Sequence, residues 1–71
     1  MEQTLGMRIA ALRKRKAMTQ EDLAEKMGVS SQAVSKWEND ISCPDIQSLP
    51  KLARILGTTV DELLSGKSEE V

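Results

Sequence analysis

The 71 residues contain no histidine, no phenylalanine, no tyrosine and a single cysteine, and each shortage closes off a class of function. Without histidine, and with Cys43 alone, no Cys/His zinc site can be assembled, and no metal or other cofactor is expected. One cysteine forms no internal disulfide, which fits a reducing cytosol and predicts a cytoplasmic protein. Cys43 has no resolving partner and no evident cause for a lowered pKa. It reads as a small loop residue without a role, not as a redox sensor. There is no Gly-rich phosphate loop. Ser30, Ser31 and Ser35 have no histidine to activate them. A Ser–Lys arrangement is formally possible, but Lys36 stands next to Ser35 with no cleft to lower its pKa. An enzyme is not expected. No stretch is long and apolar enough to span a membrane. The opening Met1-Glu2-Gln3-Thr4 lacks the basic and apolar regions of a signal peptide. Trp37 is the only aromatic residue, so aliphatic side chains must fill the interior. A chain this short makes one small, modestly stable domain.

The net charge of −1 argues against a nucleic-acid partner if taken alone. Its distribution argues the other way. Residues 1–36 hold seven Lys/Arg against four Asp/Glu, and residues 37–71 hold three against seven. Local potential follows the distribution, not the total.

Residues 19–39 organise the chain. Thr19 is a helix cap, and Asp22 three residues on favours the helix N-terminus. Leu23, Ala24 and Met27 form an apolar stripe at helical spacing. Gly28 follows at once and suits a left-handed helix stop. Val29 is placed to plug the corner, and Ser30 to cap a second helix. On that helix Val34, Trp37 and Glu38 point one way. Gln32, Ser35, Lys36 and Asn39 point the other way, with Ser31 at the margin. The outer set offers amide, hydroxyl and ammonium groups suited to base edges and to the phosphates beside a major groove.

The remaining elements follow from spacing. Residues 4–16 predict a first helix with Leu5, Ile9 and Leu12 on its core stripe and Arg13 at the border. Met7, Ala10, Ala11 and Lys14 fall on the far side, as tolerated surface or as a partner contact. Lys14 and Arg15 read either as a solvated helix end or as phosphate contacts. Met18 is expected in the core. Residues 40–45 predict a loop broken by Pro44, with Asp45 capping the next helix. That helix covers about 46–56, and Pro50 implies a distorted first turn or a regular start near Ser48. Leu49, Leu52, Ala53 and Leu56 are its buried stripe. Ile55 lies off it, and Gly57 ends it. Thr59 and Glu62 form a capping box for a last helix anchored by Val60, Leu63 and Leu64. Residues 65–71 read as a frayed polar end or the start of a linker, giving a domain at 1–66 and a tail at 67–71.

Thr19-Gln20-Glu21-Asp22-Leu23-Ala24, the turn Met27-Gly28-Val29-Ser30, and Val34-Ser35-Lys36-Trp37-Glu38-Asn39 together resemble the Cro- and repressor-like (XRE) helix-turn-helix domains. The likeness continues through Pro44, Leu49, Leu52-Ala53, Leu56-Gly57 and Val60-Asp61-Glu62-Leu63-Leu64, over roughly residues 5–66. The resemblance implies an all-α, compact five-helix domain whose third helix enters the major groove of double-stranded DNA. It implies a sequence-specific transcriptional regulator, most simply a repressor, with base contacts from Ser31, Gln32, Ser35 and Lys36. Phosphate contacts would come from Gln20, Ser30 and Asn39. Gln20 is otherwise an ordinary solvent-exposed residue. The resemblance also implies a structural ion pair between Arg13 and Glu38. A homodimer on an inverted-repeat operator is expected, with Ile55 and Leu64 at the contact. Family members often carry Gly after the Asn of the third helix, whereas this chain has Asp40. The competing reading is a protein-interaction module of the same fold that binds DNA weakly or not at all. The polar outer face of the third helix favours DNA.

Overall fold

Thr4, Thr19 and Ser30 start the first three helices, each accepting a bond from the backbone N–H three residues on. The computed structural model describes residues 3–65. Its elements are α1 Leu5–Arg15, α2 Gln20–Met27, α3 Ser31–Glu38, α4 Leu49–Leu56 and α5 Val60–Ser65, with a 3-10 turn at Ile46–Ser48. The expected all-α five-helix domain is the observed fold, with no strand among the described residues. The capping box of α2 is complete: Asp22 N–H donates to the Thr19 hydroxyl, and Thr19 N–H donates to the Asp22 carboxylate.

Ile9, Leu23, Val34, Leu52, Leu56 and Leu63 are fully enclosed, one or two from each helix, so all five helices share one core. Trp37 and Met27 close it from the side of the helix-turn-helix. Leu5, Leu12, Met18 and Val60 are partly buried against it.

Several expectations need correction. Ile55 is not free surface but packs partly against the core. Leu64 does not anchor α5; it is 48% exposed, and Leu63 alone is buried there. Val29 does not plug the turn and stays 37% exposed. Asp45 makes no side-chain cap. The expected regular start near Ser48 is met: α4 begins at Leu49 after the 3-10 turn, so Pro50 falls in the first turn, where its missing N–H has no intrahelical partner. The α5 box is only half formed. Thr59 accepts from Glu62 N–H, but the Glu62 carboxylate takes the Thr58 hydroxyl instead. Ser65 belongs to α5, and its hydroxyl donates to the Asp61 carbonyl. The tail at 67–71 lies outside the described residues.

Candidate nucleic-acid interface

The orientation of α3 is set from its inner side. Val34 and Trp37 are buried, and Glu38 meets α1. The Arg13 guanidinium grips the Glu38 carboxylate with two bonds, Nε to Oε2 at 2.6 Å and Nη2 to Oε1 at 3.1 Å. Its remaining nitrogen, Nη1, donates to the Met18 carbonyl at 2.8 Å. The two side chains are only 10% and 6% exposed. Burial alone would raise the Glu38 carboxyl. The bonds from Arg13 and Gln20, with the charges of Arg13 and Lys14, outweigh it and hold the group below its ordinary value.

Gln20 sits at the first turn of α2, and its Nε2 donates to Glu38 Oε1 at 2.9 Å. It is therefore not an idle surface residue. It joins the start of α2 to α3 and to the ion pair, and the second hydrogen of its amide nitrogen remains available to donate. Lys14 contributes to the same cluster through its charge. Arg15 does not stand with it. It lines a cleft between the end of α1 and the α4–α5 turn, with Lys16, Thr58 and Glu62.

The outer face of α3 contrasts with this engaged inner side. Gln32, Lys36 and Asn39 are exposed; Ser31 and Ser35 are half-buried. The side chains of Gln32 and Lys36 have no partner among the described residues. Asn39 turns its amide nitrogen back to the Ser35 carbonyl at 2.9 Å, and that nitrogen keeps a second hydrogen to donate. The Ser30 hydroxyl accepts from Ala33 N–H, which leaves its hydrogen free to donate. Ser31, Gln32, Ser35 and Lys36 thus share one face. Ser30 lies at its start, Asn39 at its end and Gln20 across the turn.

A family model described as helix-turn-helix matches residues 9–63. The chain belongs to the helix-turn-helix family. Its Cro- and repressor-like (XRE) character is seen in its relatives. The transcriptional activator BcrR of Enterococcus faecalis is 43% identical over 60 residues, 84% of this chain and 29% of its own length. The P22 c2 repressor bound to a synthetic operator superposes with a TM-score of 0.88 at 36% identity, over 93% of this chain and all of that one. It comes from Salmonella phage P22. The DNA-binding domain of SinR from Bacillus subtilis gives a TM-score of 0.79 at 38% identity, over 92% of this chain and 96% of that one. The chain spans 29% of BcrR and 50% of a second curated relative.

Three residues of this helix-turn-helix domain escaped the sequence reading. Arg8 caps the end of α5, donating to the carbonyls of Leu63 at 2.7 Å and Leu64 at 2.6 Å. Nothing local marks an arginine in α1 for that task. Gly6 lies against the end of α3, where a Cβ would fall 2.4 Å from the Trp37 carbonyl oxygen. Asp40 was visible only as a departure from the family's glycine.

Proposed function

We propose that this chain is a sequence-specific, DNA-binding transcriptional regulator that reads the major groove with α3. The observation that carries this reading is the outer face of α3. Its Gln32 and Lys36 are exposed and unpartnered, while every inward group of the same helix is engaged. Gln32 suits adenine through its amide, and Lys36 donates to the acceptors of guanine. Ser31 and Ser35 have shorter side chains and make weaker or water-mediated contacts. The Ser30 hydroxyl and the second amide hydrogens of Gln20 and Asn39 donate to phosphates, helped by the free N–H groups where α2 begins. Relatives named as regulators, among them a repressor solved on an operator, support the reading. Repression is the simplest outcome, since a bound domain excludes other proteins from its site. Within this reading residues 1–66 form the DNA-binding domain, 67–71 begin a tail or linker, and the protein works in the cytoplasm.

One recognition helix reads few base pairs. Two copies related by a dyad would read half-sites about 34–36 Å apart on an inverted repeat. Exposed Leu64 is the better of the two expected contact residues, since Ile55 is partly taken up by the core.

The test is a titration of folded variants against a duplex selected from random DNA. Gln32→Ala and Lys36→Ala should each cost about 1–3 kcal/mol of specific binding and relax preference at one base position. If both bind like the parent, the groove-reading assignment is wrong, and the interaction-module reading takes its place.

A further inference from the structure

Asp40 follows the end of α3 with a left-handed backbone, φ 60°. Its N–H donates to the Trp37 carbonyl at 3.1 Å, and Ile41 N–H donates to the Lys36 carbonyl at 2.9 Å. That pair of bonds closes a helix around a left-handed residue, a place where glycine carries no steric cost. A side chain there is strained, so the carboxylate must supply what glycine would not. Its Oδ1 accepts from Gly6 N–H at 3.0 Å, and its Oδ2 from the Thr4 hydroxyl at 2.6 Å. Helix α1 is therefore capped twice, by its own Thr4 and by a carboxylate 34 positions further along the chain. The charge also meets the positive end of the α1 dipole.

Gly6 makes the approach possible. A Cβ there would lie 2.4 Å from the Trp37 carbonyl oxygen and 2.7 Å from that of Glu38. The first turn of α1 thus rests on the last turn of α3, backbone against backbone. Two grips hold α3 on α1: Arg13 on Glu38, and the Gly6–Thr4 pair on Asp40. Between them lies Asn39, the cap of α3, and the Lys36 carbonyl is tied into the same closing turn.

We propose that Asp40 is a positioning residue for groove reading. It braces the exit of α3 against α1 and so sets where Lys36 and Asn39 meet the DNA. This rests on the reading of α3 as the recognition helix. Base contacts need fixed geometry, whereas diffuse attraction to phosphates does not. Removing a negative charge near DNA would by itself strengthen binding to every sequence. The ratio of specific to non-specific affinity separates the two effects.

Asp40→Gly keeps the left-handed turn and removes the carboxylate. Asp40→Asn removes the charge and one of the two acceptors, and keeps an oxygen for the Gly6 N–H. For Asp40→Gly, folded by circular dichroism, the ratio should fall about tenfold, and the Gly6 amide should lose protection from hydrogen exchange. Asp40→Asn should restore most of both. A ratio at the parent value in Asp40→Gly, with or without a lower melting temperature, would overturn the proposal and leave the groove reading standing. Equal loss in both variants would show that the bond to the Gly6 amide does not set the ratio, and would overturn the proposal too. A parent that binds no DNA selectively would sink the groove reading itself, and this proposal with it.

Discussion

At the scale of single residues, the Arg13–Glu38–Gln20 cluster governs stability. Glu38→Ala leaves the Arg13 guanidinium buried without its counter-charge and should cost about 3 kcal/mol. A thermal melt reads this directly, and an unchanged midpoint would mean the pair contributes nothing. Gln20→Ala removes a part-buried bond to the same carboxylate. It should cost about 1 kcal/mol of stability, in addition to weakening DNA binding without altering base preference. The lowered Glu38 pKa adds a pH dependence. Below the ordinary value of 4.5 the unfolded chain takes up a proton more readily than the folded one. The stabilisation is therefore complete above about pH 4.5 and is lost as the pH falls through the lower folded value. Urea titrations at pH 6 and pH 3 should show a smaller acid loss for Glu38→Gln than for the parent. Asp22, lowered by its bonds to the Thr19 backbone and hydroxyl, gives the parent and the variant the same residual slope.

At the scale of helices, the ends carry the unexpected features. All of α1 to α4 stop at a left-handed residue: Ala17, Gly28, Asp40 and Gly57. Each stop makes the same pair of closing bonds, such as Met18 N–H to the Arg13 carbonyl and Ala17 N–H to the Lys14 carbonyl. Two of the four use no glycine. Asp40 is offset by its carboxylate bonds, but Ala17 has nothing comparable. Ala17→Gly should therefore stabilise the domain by about 0.5–1 kcal/mol, the strain relieved less the entropy glycine adds to the unfolded chain. A lower melting temperature would contradict this. Gly6→Ala is the opposite case. A methyl group cannot sit 2.4 Å from a carbonyl oxygen, so α1 must move off α3. The expected loss is about 3 kcal/mol, near the upper end for overpacking, with reduced DNA affinity in the fraction that folds.

At the scale of the molecule, the exposed Lys36 on the outer face of α3 sets the local potential there whatever the net charge of −1, because potential follows the distribution of charge and not its total. The proposed dimer makes two statements that binding experiments can check. Sites selected from a random pool should contain an inverted repeat. Leu64→Glu should weaken binding to a duplex with two half-sites about tenfold while leaving the melting temperature within a degree or two, because the side chain lies outside the core. Selected sites without a repeat would point to a monomer.

Local pattern was enough to place all five helices, the caps at Thr19 and Ser30, the glycine stops and the inward and outward faces of α3. Each of these depends on residues within about one or two turns of each other, and helical spacing reports such neighbours directly. The roles of Arg8, Gly6 and Asp40 depend on partners 31 to 56 positions away, which no local pattern records. Gln20 looked like a surface residue because its bond to Glu38 forms only when α2 and α3 are packed. Leu64 is exposed and Ile55 partly buried, against expectation, because on helices this short a rotation of about 100°, one residue, decides which side chain meets the core. The sequence alone determined the elements and the chemistry of the reading face; the packing of α1 on α3 decided how that face is held, because backbone-to-backbone approach and carboxylate capping exist only once distant helices touch.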